Sequence, residues 1–256
     1  MDNGTRPGSF GVYRACGIEI SAASPAYAAN RIVDAYTNGI SLQVHLCNAY
    51  TLSLVDSDSQ LRAALASADL NLPDGVPVAW LGRRYGVKGP VRGPGLVKEV
   101  ASVGRSGSVT HYLYGGGPSV ADAVASRLRE VAPGVLIVGI EMPPFHDLTD
   151  NEVSALAQRI EASGAQLVWV GLGTPRQDYL VPRLAAATGL VVVPVGAAFD
   201  FLSRRVSEAP PWLHGTSLEW VYRFAREPRR LWRRYLIGNP RFVVANIRHA
   251  YGRESR

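Results

Sequence analysis

Short apolar runs alternate with helical segments through the middle of this chain of 256 residues. Five runs rich in β-branched and aromatic residues, bounded by glycine and asparagine, have the character of buried strands. They cover residues 40–48, 109–117, 134–141, 165–173 and 189–196. Residues 118–132 and 148–165 repeat apolar residues at helical spacing between later runs. The alternation predicts an α/β fold, a Rossmann-like and largely parallel sheet with helices on both faces.

The chain after residue 200 has a different composition. It contains twelve arginines, four glutamates and no lysine, so its formal charge of +8 exceeds the +6 of the whole chain. Aromatic residues and arginines share neighbouring helical turns at 218–236. The sequence therefore predicts two parts, a Rossmann-like domain over residues 1–203 and an arginine-rich helical appendage over residues 204–256.

Composition also excludes several classes of protein. Two cysteines and five scattered histidines make neither a disulfide framework nor a zinc motif, which predicts a reducing cytoplasm and no metal site. No stretch reaches the ~18 apolar residues of a spanning helix, and the N-terminus lacks the apolar core of a signal peptide. We therefore expect a cytoplasmic protein that does not cross a membrane.

Asp74 stands between Pro73 and Gly75 in the stretch SADLNLPDGVPVAW at 67–80. Pro-Asp-Gly is ordinary turn chemistry, because proline presets φ and glycine accepts a positive φ. An aspartate ahead of an apolar helical run is also a frequent helix N-cap. On local grounds the sequence favours a turn or a cap.

Two loops follow predicted strands and open predicted helices, where backbone N–H groups and the helix dipole can hold phosphate. The first, YGGGPSV at 114–120, resembles the glycine fingerprint of dinucleotide folds through Gly115 and Gly116, but Val120 replaces its third glycine. Glu141 ends the next strand, roughly where an acidic residue would reach a ribose hydroxyl. A plain strand-to-helix turn explains the same residues.

The second loop is VGLGTPRQDYL at 170–180. Gly173 permits a close approach of the backbone to a ligand, and Thr174 can cap the helix or donate a hydroxyl. Arg176 and Gln177 add polar groups to the first helical turn, which a simple cap does not require. These residues make the second loop the more specific candidate for a binding site.

Five motifs follow one another along the chain. They are NLPDGVPVAW, VGLGTPRQDYL, PVGAAFDFLSRRV, APPW and SLEWVYRFAREPRRLWRRYLIGNPRF. In this order and spacing they closely resemble the WecG/TagA/CpsF family of bacterial glycosyltransferases, glycosyltransferase family 26. The resemblance extends from about residue 10 to residue 245.

The resemblance implies an enzyme that needs no metal or other cofactor. It would move a hexose or N-acetylhexosamine, with inversion, from a UDP-sugar to a polyprenyl-diphosphate-linked sugar, in cell-surface or exopolysaccharide synthesis on the cytoplasmic membrane face. The family's catalytic base maps onto Asp74, which would take the proton of the acceptor hydroxyl. Other residues are expected to bind donor or acceptor. These are Asn48, Gly115, Gly116, Glu141, Gly173, Thr174, Arg176, Gln177 and Arg223.

The chain departs from the family's pattern at positions expected to touch sugar or diphosphate. Leu46 stands where the family has a threonine, and Pro90 and Gly95 replace an arginine and an aspartate. Glu208 replaces another arginine, and Arg92 is a candidate substitute for the first one. These departures bear on the identity of the donor more than on the fold.

The arginine and aromatic residues at 218–241 have two interpretations. They form either a solvated helix face packed on the core or an element at an anionic membrane surface, with tryptophans and tyrosines at headgroup level. In the second, Arg223 meets diphosphate while Arg229, Arg230, Arg233 and Arg234 mainly face lipid. Two other functions remain as alternatives, an NAD-dependent oxidoreductase and a nucleic-acid-binding module. We expect no nucleic-acid partner, because the aromatics fall among apolar helix positions; a homo-oligomer stays open.

Overall fold

The computed structural model describes residues 11–105, 107–216 and 218–251. The strands in these ranges are β1 (Val12–Ala15), β2 (Ile18–Ser21), β3 (Leu42–Cys47), β4 (Leu70–Pro73), β5 (Thr110–Gly115), β6 (Leu136–Glu141), β7 (Leu167–Gly171) and β8 (Val191–Pro194). Strands β1 and β2 pair as an antiparallel hairpin, and the other six form one sheet in the order β4-β3-β8-β7-β5-β6. All neighbouring strands of this sheet are parallel, which confirms the predicted α/β class.

Helices connect the strands and continue to the end of the described chain. They are α1 (Pro25–Thr37), α2 (Ala49–Leu54), α3 (Ser59–Ala66), α4 (Val76–Leu81), α5 (Gly93–Val103), α6 (Val120–Val131), α7 (Asp150–Ala162), α8 (Arg176–Thr188), α9 (Ala198–Leu202), α10 (Glu219–Arg226), α11 (Pro228–Trp232) and α12 (Asn239–Tyr251). Short 3₁₀ turns lie at Arg83–Tyr85 and Pro211–Leu213, and a π-helical segment spans Arg233–Gly238.

The five strands and two helices predicted from apolar periodicity are all present, whereas β1, β2 and β4 were missed. Arg14 interrupts the apolar residues of β1, and Glu19 interrupts those of β2. Strand β4 also contains Asn71, whose amide donates to the carbonyl oxygens of Glu19 and Leu65 at 3.0 and 2.8 Å. Pro73 is tolerated there because β4 is an edge strand that pairs on one side only.

Alternate residues of the sheet strands enter two separate cores. On one face, Trp169 and Val193 pack with helices α1, α5, α6 and α9. On the other face, Val168 and Val192 pack with helices α7 and α8. Because both faces are covered by helices, as predicted, the loops at the carboxyl ends of the strands are where a site can form.

A third core joins the two ends of the described chain. Phe242 and Ala245 of α12 are buried together with residues of the hairpin, α2 and α3. The side chain of Asn246 accepts a hydrogen bond from the backbone N–H of Cys16 at 3.0 Å. The segment after residue 218 is helical, as predicted, but the division of the chain at residue 203 stays a prediction. Among the described helices, none has the length and apolar composition to cross a bilayer.

Candidate active site

A cleft of about 430 Å³ opens above the carboxyl ends of strands β4, β3, β8 and β7. The loops after these strands line it together with helices α10 and α11 and the π-helical segment. The carboxyl edge of a parallel sheet is where open α/β folds bind ligands. Six residues predicted from the sequence meet here. They are Asn48, Asp74, Gly173, Thr174, Gln177 and Arg223.

Asp74 directly follows β4, and its backbone N–H donates to the carbonyl of Cys47 at 2.9 Å. The chain turns at Gly75, whose φ of +81° is a conformation that favours glycine. The predicted turn is therefore present, but the predicted cap is wrong, because α4 begins after Gly75 with no side-chain cap. The carboxylate lines the cleft, with its Oδ2 3.5 Å from Nδ2 of Asn48. Because the carboxylate of Asp74 does not cap α4, it is available to a ligand in the cleft.

The surroundings of Asp74 suit a carboxylate that accepts a proton. Burial raises the pKa of Asp74 above its usual value, while the charges of Arg234 and Arg223 and the contact with Asn48 oppose that rise. A raised pKa makes the carboxylate a stronger base, and general bases work best when their pKa approaches the working pH.

Asn48 is fixed at the beginning of α2. Its Oδ1 accepts from the backbone N–H of Thr51 at 3.1 Å and caps the helix, so its Nδ2 is held towards Asp74. Thr51 also approaches Thr174, with 3.3 Å between the two Oγ1 atoms. Thr174 therefore does not cap α8 as the sequence allowed; Pro175 precedes that helix and no side chain caps it.

Gln177 joins two loops of the cleft. It is 3% exposed, and its Oε1 accepts the backbone N–H groups of Gly173 and Gly196 at 3.0 and 2.9 Å. A single oxygen thus connects the loop after β7 to the loop after β8. Because that oxygen is engaged within the protein, a contact between Gln177 and a ligand would use its amide NH₂ group.

Arg223 and Arg234 line the cleft, and within the described residues neither forms an ion pair. The Nε of Arg223 is buried without an acceptor, and its guanidinium lies 5.0 Å from the centre of the Phe201 ring. Arg234 lies over the ring of Tyr50 at 5.6 Å. Burial, and next the charge of Arg223, lower the pKa of Arg234. Two partly buried guanidinium groups that repel each other make a suitable place for a multiply charged anion.

Arg92 is the opposite case, because two carboxylates hold it. Its Nη1 lies 2.9 Å from Glu208 and its Nη2 lies 2.8 Å from Glu219. Glu208, which replaces an arginine of the pattern, therefore contacts Arg92, the candidate substitute for another replaced arginine. The positive charge of Arg92 is balanced within the protein.

Gly115, Gly116 and Glu141 do not line the cleft. A side chain at Gly115 would come within 2.6 Å of the Gly171 backbone, so the glycine serves close packing of neighbouring strands. Glu141 accepts hydrogen bonds from Arg159 at 2.7 and 3.0 Å. The geometry favours the strand-to-helix turn over a nucleotide fingerprint for this loop.

Arg176 also lies away from the cleft. It lines a smaller cavity of about 210 Å³, where its guanidinium contacts Asp147 and the carbonyl of His146, both at 2.6 Å. Successive residues of a helix point to different sides. Gln177 therefore reaches the cleft while Arg176, one residue earlier, does not.

The comparison with known families decides the class of this protein. The model of the glycosyl transferase WecG/TagA/CpsF family matches residues 13–256. The chain belongs to the WecG/TagA/CpsF family. Two relatives are named N-acetylglucosaminyldiphosphoundecaprenol N-acetyl-beta-D-mannosaminyltransferase. The one from Bacillus spizizenii is 29% identical over 191 residues, covering 73% of this chain and 72% of the relative. The one from Bacillus subtilis is 28% identical over 193 residues, covering 72% and 70%.

As a member of the WecG/TagA/CpsF family, the protein is a glycosyltransferase, and the oxidoreductase and nucleic-acid alternatives are set aside. Of its departures from the family pattern, Leu46 lines the cleft, whereas Pro90 and Gly95 do not. Within the described ranges, no group of three or more histidine, cysteine, aspartate or glutamate side chains is placed to hold a metal ion.

Sequence reasoning missed part of the cleft. Arg230, Arg233 and Arg234 line it, although the sequence suggested that they mainly face lipid; of that group, Arg229 alone is absent from the lining. The π-helical segment has more residues per turn than an α-helix, which shifts the faces that 3.6-residue spacing predicts. The sequence did contain a signal for Glu219 as a residue of the cleft. It precedes Arg223 by four residues in a helical pattern, which places both side chains on the same face of the helix.

Proposed function

We propose that this glycosyltransferase moves an N-acetylhexosamine from a UDP-sugar, with inversion and without a metal ion, to a lipid-diphosphate-linked N-acetylglucosamine. The names of both relatives contain such an acceptor, N-acetylglucosaminyldiphosphoundecaprenol. The proposal rests on one observation. The carboxylate of Asp74 lines the same cleft as Arg223 and Arg234, two arginines that have no carboxylate partner in the described chain.

In this proposal, the Asp74 carboxylate takes the proton of the acceptor hydroxyl. The acceptor oxygen attacks the anomeric carbon from the face opposite UDP. The new glycosidic bond forms as the bond between the anomeric carbon and the UDP oxygen breaks, and the electron pair leaves with UDP. A single displacement of this kind inverts the anomeric configuration and requires only one carboxylate.

Arg223 and Arg234 would stabilise the charge of the diphosphate. A leaving nucleotide gains negative charge in the transition state, and fixed cations in a partly desolvated site stabilise it there. Guanidinium groups bind phosphate oxygens through paired N–H donors. We therefore expect activity to survive EDTA; a loss in EDTA that Mg²⁺ or Mn²⁺ restores would contradict the proposal.

The test is a screen of UDP-sugars against a detergent-solubilised acceptor, lipid-diphosphate-linked N-acetylglucosamine. The expected result is transfer from a UDP-N-acetylhexosamine with release of UDP and an inverted linkage in the product. Transfer with retained configuration, or none from any UDP-sugar, would refute the proposed reaction.

We further propose that the helices after residue 218 meet an anionic membrane on its cytoplasmic face. Trp232, Leu236 and Val244 expose apolar side chains there, close in sequence to the exposed Arg229 and Arg241. Such a surface suits a lipid-linked acceptor. Replacing Arg229 and Arg241 with glutamine should weaken binding to anionic vesicles by about 1 kcal/mol for each arginine. A flotation assay measures this binding. Equal binding to neutral and anionic vesicles would contradict the electrostatic part.

A further inference from the structure

Glu219 has both carboxylate oxygens engaged at the beginning of α10. Its Oε1 accepts from Nη2 of Arg92 at 2.8 Å, and its Oε2 accepts from the backbone N–H of Gly215 at 3.1 Å. Its side chain is 15% exposed and that of Arg92 is 17% exposed. The ion pair is therefore partly desolvated, where such contacts are stronger than on an open surface.

Arg92 is itself held firmly. Its other terminal nitrogen contacts Glu208 at 2.9 Å. The next residue, Gly93, is buried at the beginning of α5, and a side chain there would come within 3.0 Å of the carbonyl of Val195. Arg92 thus extends from a tightly packed part of the α/β fold towards α10.

The other contacts of helix α10 lie outside the buried cores. None of its eight residues is buried, and no side chain caps its beginning. Trp220 and Phe224 contact the ring of Tyr235, with ring centres 5.5 and 6.2 Å apart, and Arg226 in the last turn donates to Ser207 at 3.4 Å. The contact between Glu219 and Arg92 is the polar contact that ties its first turn to the α/β part.

Arg223 follows Glu219 by four residues, so both side chains lie on the same face of α10. Both line the cleft, and the Nε of Arg223 is buried there without an acceptor. A rotation of α10 that withdrew Glu219 from Arg92 would also withdraw Arg223 from Phe201, 5.0 Å from its guanidinium.

We infer that Glu219 is a positioning residue: by its ion pair with Arg92 it sets the rotation of α10 and so holds Arg223 in the cleft to bind the diphosphate of a substrate. The inference rests on the proposed function for the presence of a diphosphate ligand. Glu219 itself repels that ligand, so its effect on binding acts through the placement of Arg223.

The inference can be tested by calorimetric titration of the full chain with pyrophosphate. Arg223→Ala should weaken binding by about tenfold or more, and Glu219→Ala by about fivefold. When Glu219→Ala is combined with Arg223→Ala, pyrophosphate affinity should fall no further than in Arg223→Ala alone. When Glu219→Ala is combined with Arg234→Ala, the fold-losses of affinity of the two single variants should multiply. Glu130→Ala is the matched control, because it breaks a 2.7 Å ion pair with Arg127 on α6 and should change nothing.

Two comparisons separate positioning from charge. Glu219→Gln removes the same charge as Glu219→Ala but keeps an acceptor for Arg92, so it should retain more pyrophosphate affinity. Amide hydrogen exchange over residues 219–226 should be faster in Glu219→Ala than in the wild type and unchanged in Glu130→Ala. Exchange can be compared in the folded proteins without any ligand.

Several results would overturn the inference. They are tighter pyrophosphate binding by Glu219→Ala, losses that multiply between Glu219→Ala and Arg223→Ala, unchanged exchange over α10, and no pyrophosphate binding by the wild type. The proposed function is tested separately by sugar transfer. Pyrophosphate binding with the expected double-variant result, but without transfer, would contradict the proposed function alone.

Discussion

The two halves of the sheet's carboxyl edge differ in how their charged side chains are paired. Above β4, β3, β8 and β7, Asp74 and Arg223 face an open cleft and, in the chain as described, form no ion pair, although Arg92 in the same cleft is paired with Glu208 and Glu219. Above β6, Glu141 binds Arg159, and in the smaller cavity beside it Arg176 binds Asp147. A charge that a protein leaves partly buried and unpaired costs free energy. Unpaired charges therefore indicate the functional half better than glycine motifs, which both halves contain.

Asp74→Asn should produce the largest difference between the two halves. Removal of a general base typically reduces the rate by ~10²–10⁴-fold, and asparagine keeps the shape of the side chain. Sugar transfer should be measured beside the circular dichroism of the folded protein. Asp122→Asn, at an exposed position in the first turn of α6, is the control and should be nearly fully active. Retention of half the wild-type activity by Asp74→Asn would refute its assignment as the base.

Arg223→Ala and Arg176→Ala compare an arginine that lines the cleft with one that lines the smaller cavity. Arg223→Ala should lower kcat by about 10–100-fold on a short, water-soluble acceptor, because a charge-assisted contact to phosphate is lost at the reacting groups. Arg176→Ala should change kcat by less than about twofold, because its partners at the surface are Asp147 and the His146 carbonyl. Equal losses would mean that the smaller cavity also takes part in the reaction.

The pH dependence of kcat/KM should report the electrostatics of the cleft. Activity should fall as pH decreases through the pKa of Asp74, which burial raises and the charge of Arg234 opposes. Arg234→Met removes the opposing charge, so the pKa of Asp74 rises further and the acid limb of the profile moves to higher pH. An unmoved limb would show that another group controls it. Arg159→Met, in the other half, is the control.

Asp74 should also destabilise the folded protein at neutral pH. Its folded-state pKa lies above the usual aspartate value, so the folded state binds more protons than the unfolded state between the two pKa values. Stability is therefore lost as pH rises through the folded-state pKa. Asp74→Asn should unfold at a higher temperature than the wild type at pH 7, and this difference should disappear below the unfolded-state pKa. A lower unfolding temperature at pH 7 would contradict this expectation.

Glu141→Gln should have the smallest effect. The variant weakens the contact with Arg159, which is 53% exposed at its side chain, so the free energy of unfolding should fall by only about 0–1 kcal/mol. Transfer from the UDP-sugar should stay within about twofold of the wild type, since Glu141 does not line the cleft. A large rise in the KM for the donor would restore its predicted role at a ribose.

Much of the fold was predictable because the sheet is covered on both faces. Strands such as β7 and β8 are then continuous apolar runs, with Trp169 and Val168 entering opposite cores. The hairpin and β4 were not predicted, because polar residues interrupt their apolar runs: Arg14 in β1, Glu19 in β2 and Asn71 in β4.

The part of the candidate site that follows adjacent strands was predictable from the sequence. The part that distant segments of the chain contribute was not. Asp74 and Asn48 follow adjacent strands, so their meeting at one edge follows from strand pairing. The approach of Arg234 to that edge depends on a π-helical segment, for which sequence offers no period. The contact of Arg92 with Glu208 and Glu219 joins residues more than a hundred positions apart.

The contact between Cys16 and Asn246 has a consequence for the order of events during protein synthesis. These residues are 230 positions apart, and translation at roughly 5–20 residues per second separates them by about ten to fifty seconds. During that interval the hairpin core lacks Phe242 and Ala245, and its apolar residues are incompletely covered. The hairpin core therefore stays incomplete until α12 has left the ribosome, and a premature stop before residue 242 would leave an exposed apolar surface on an otherwise formed sheet.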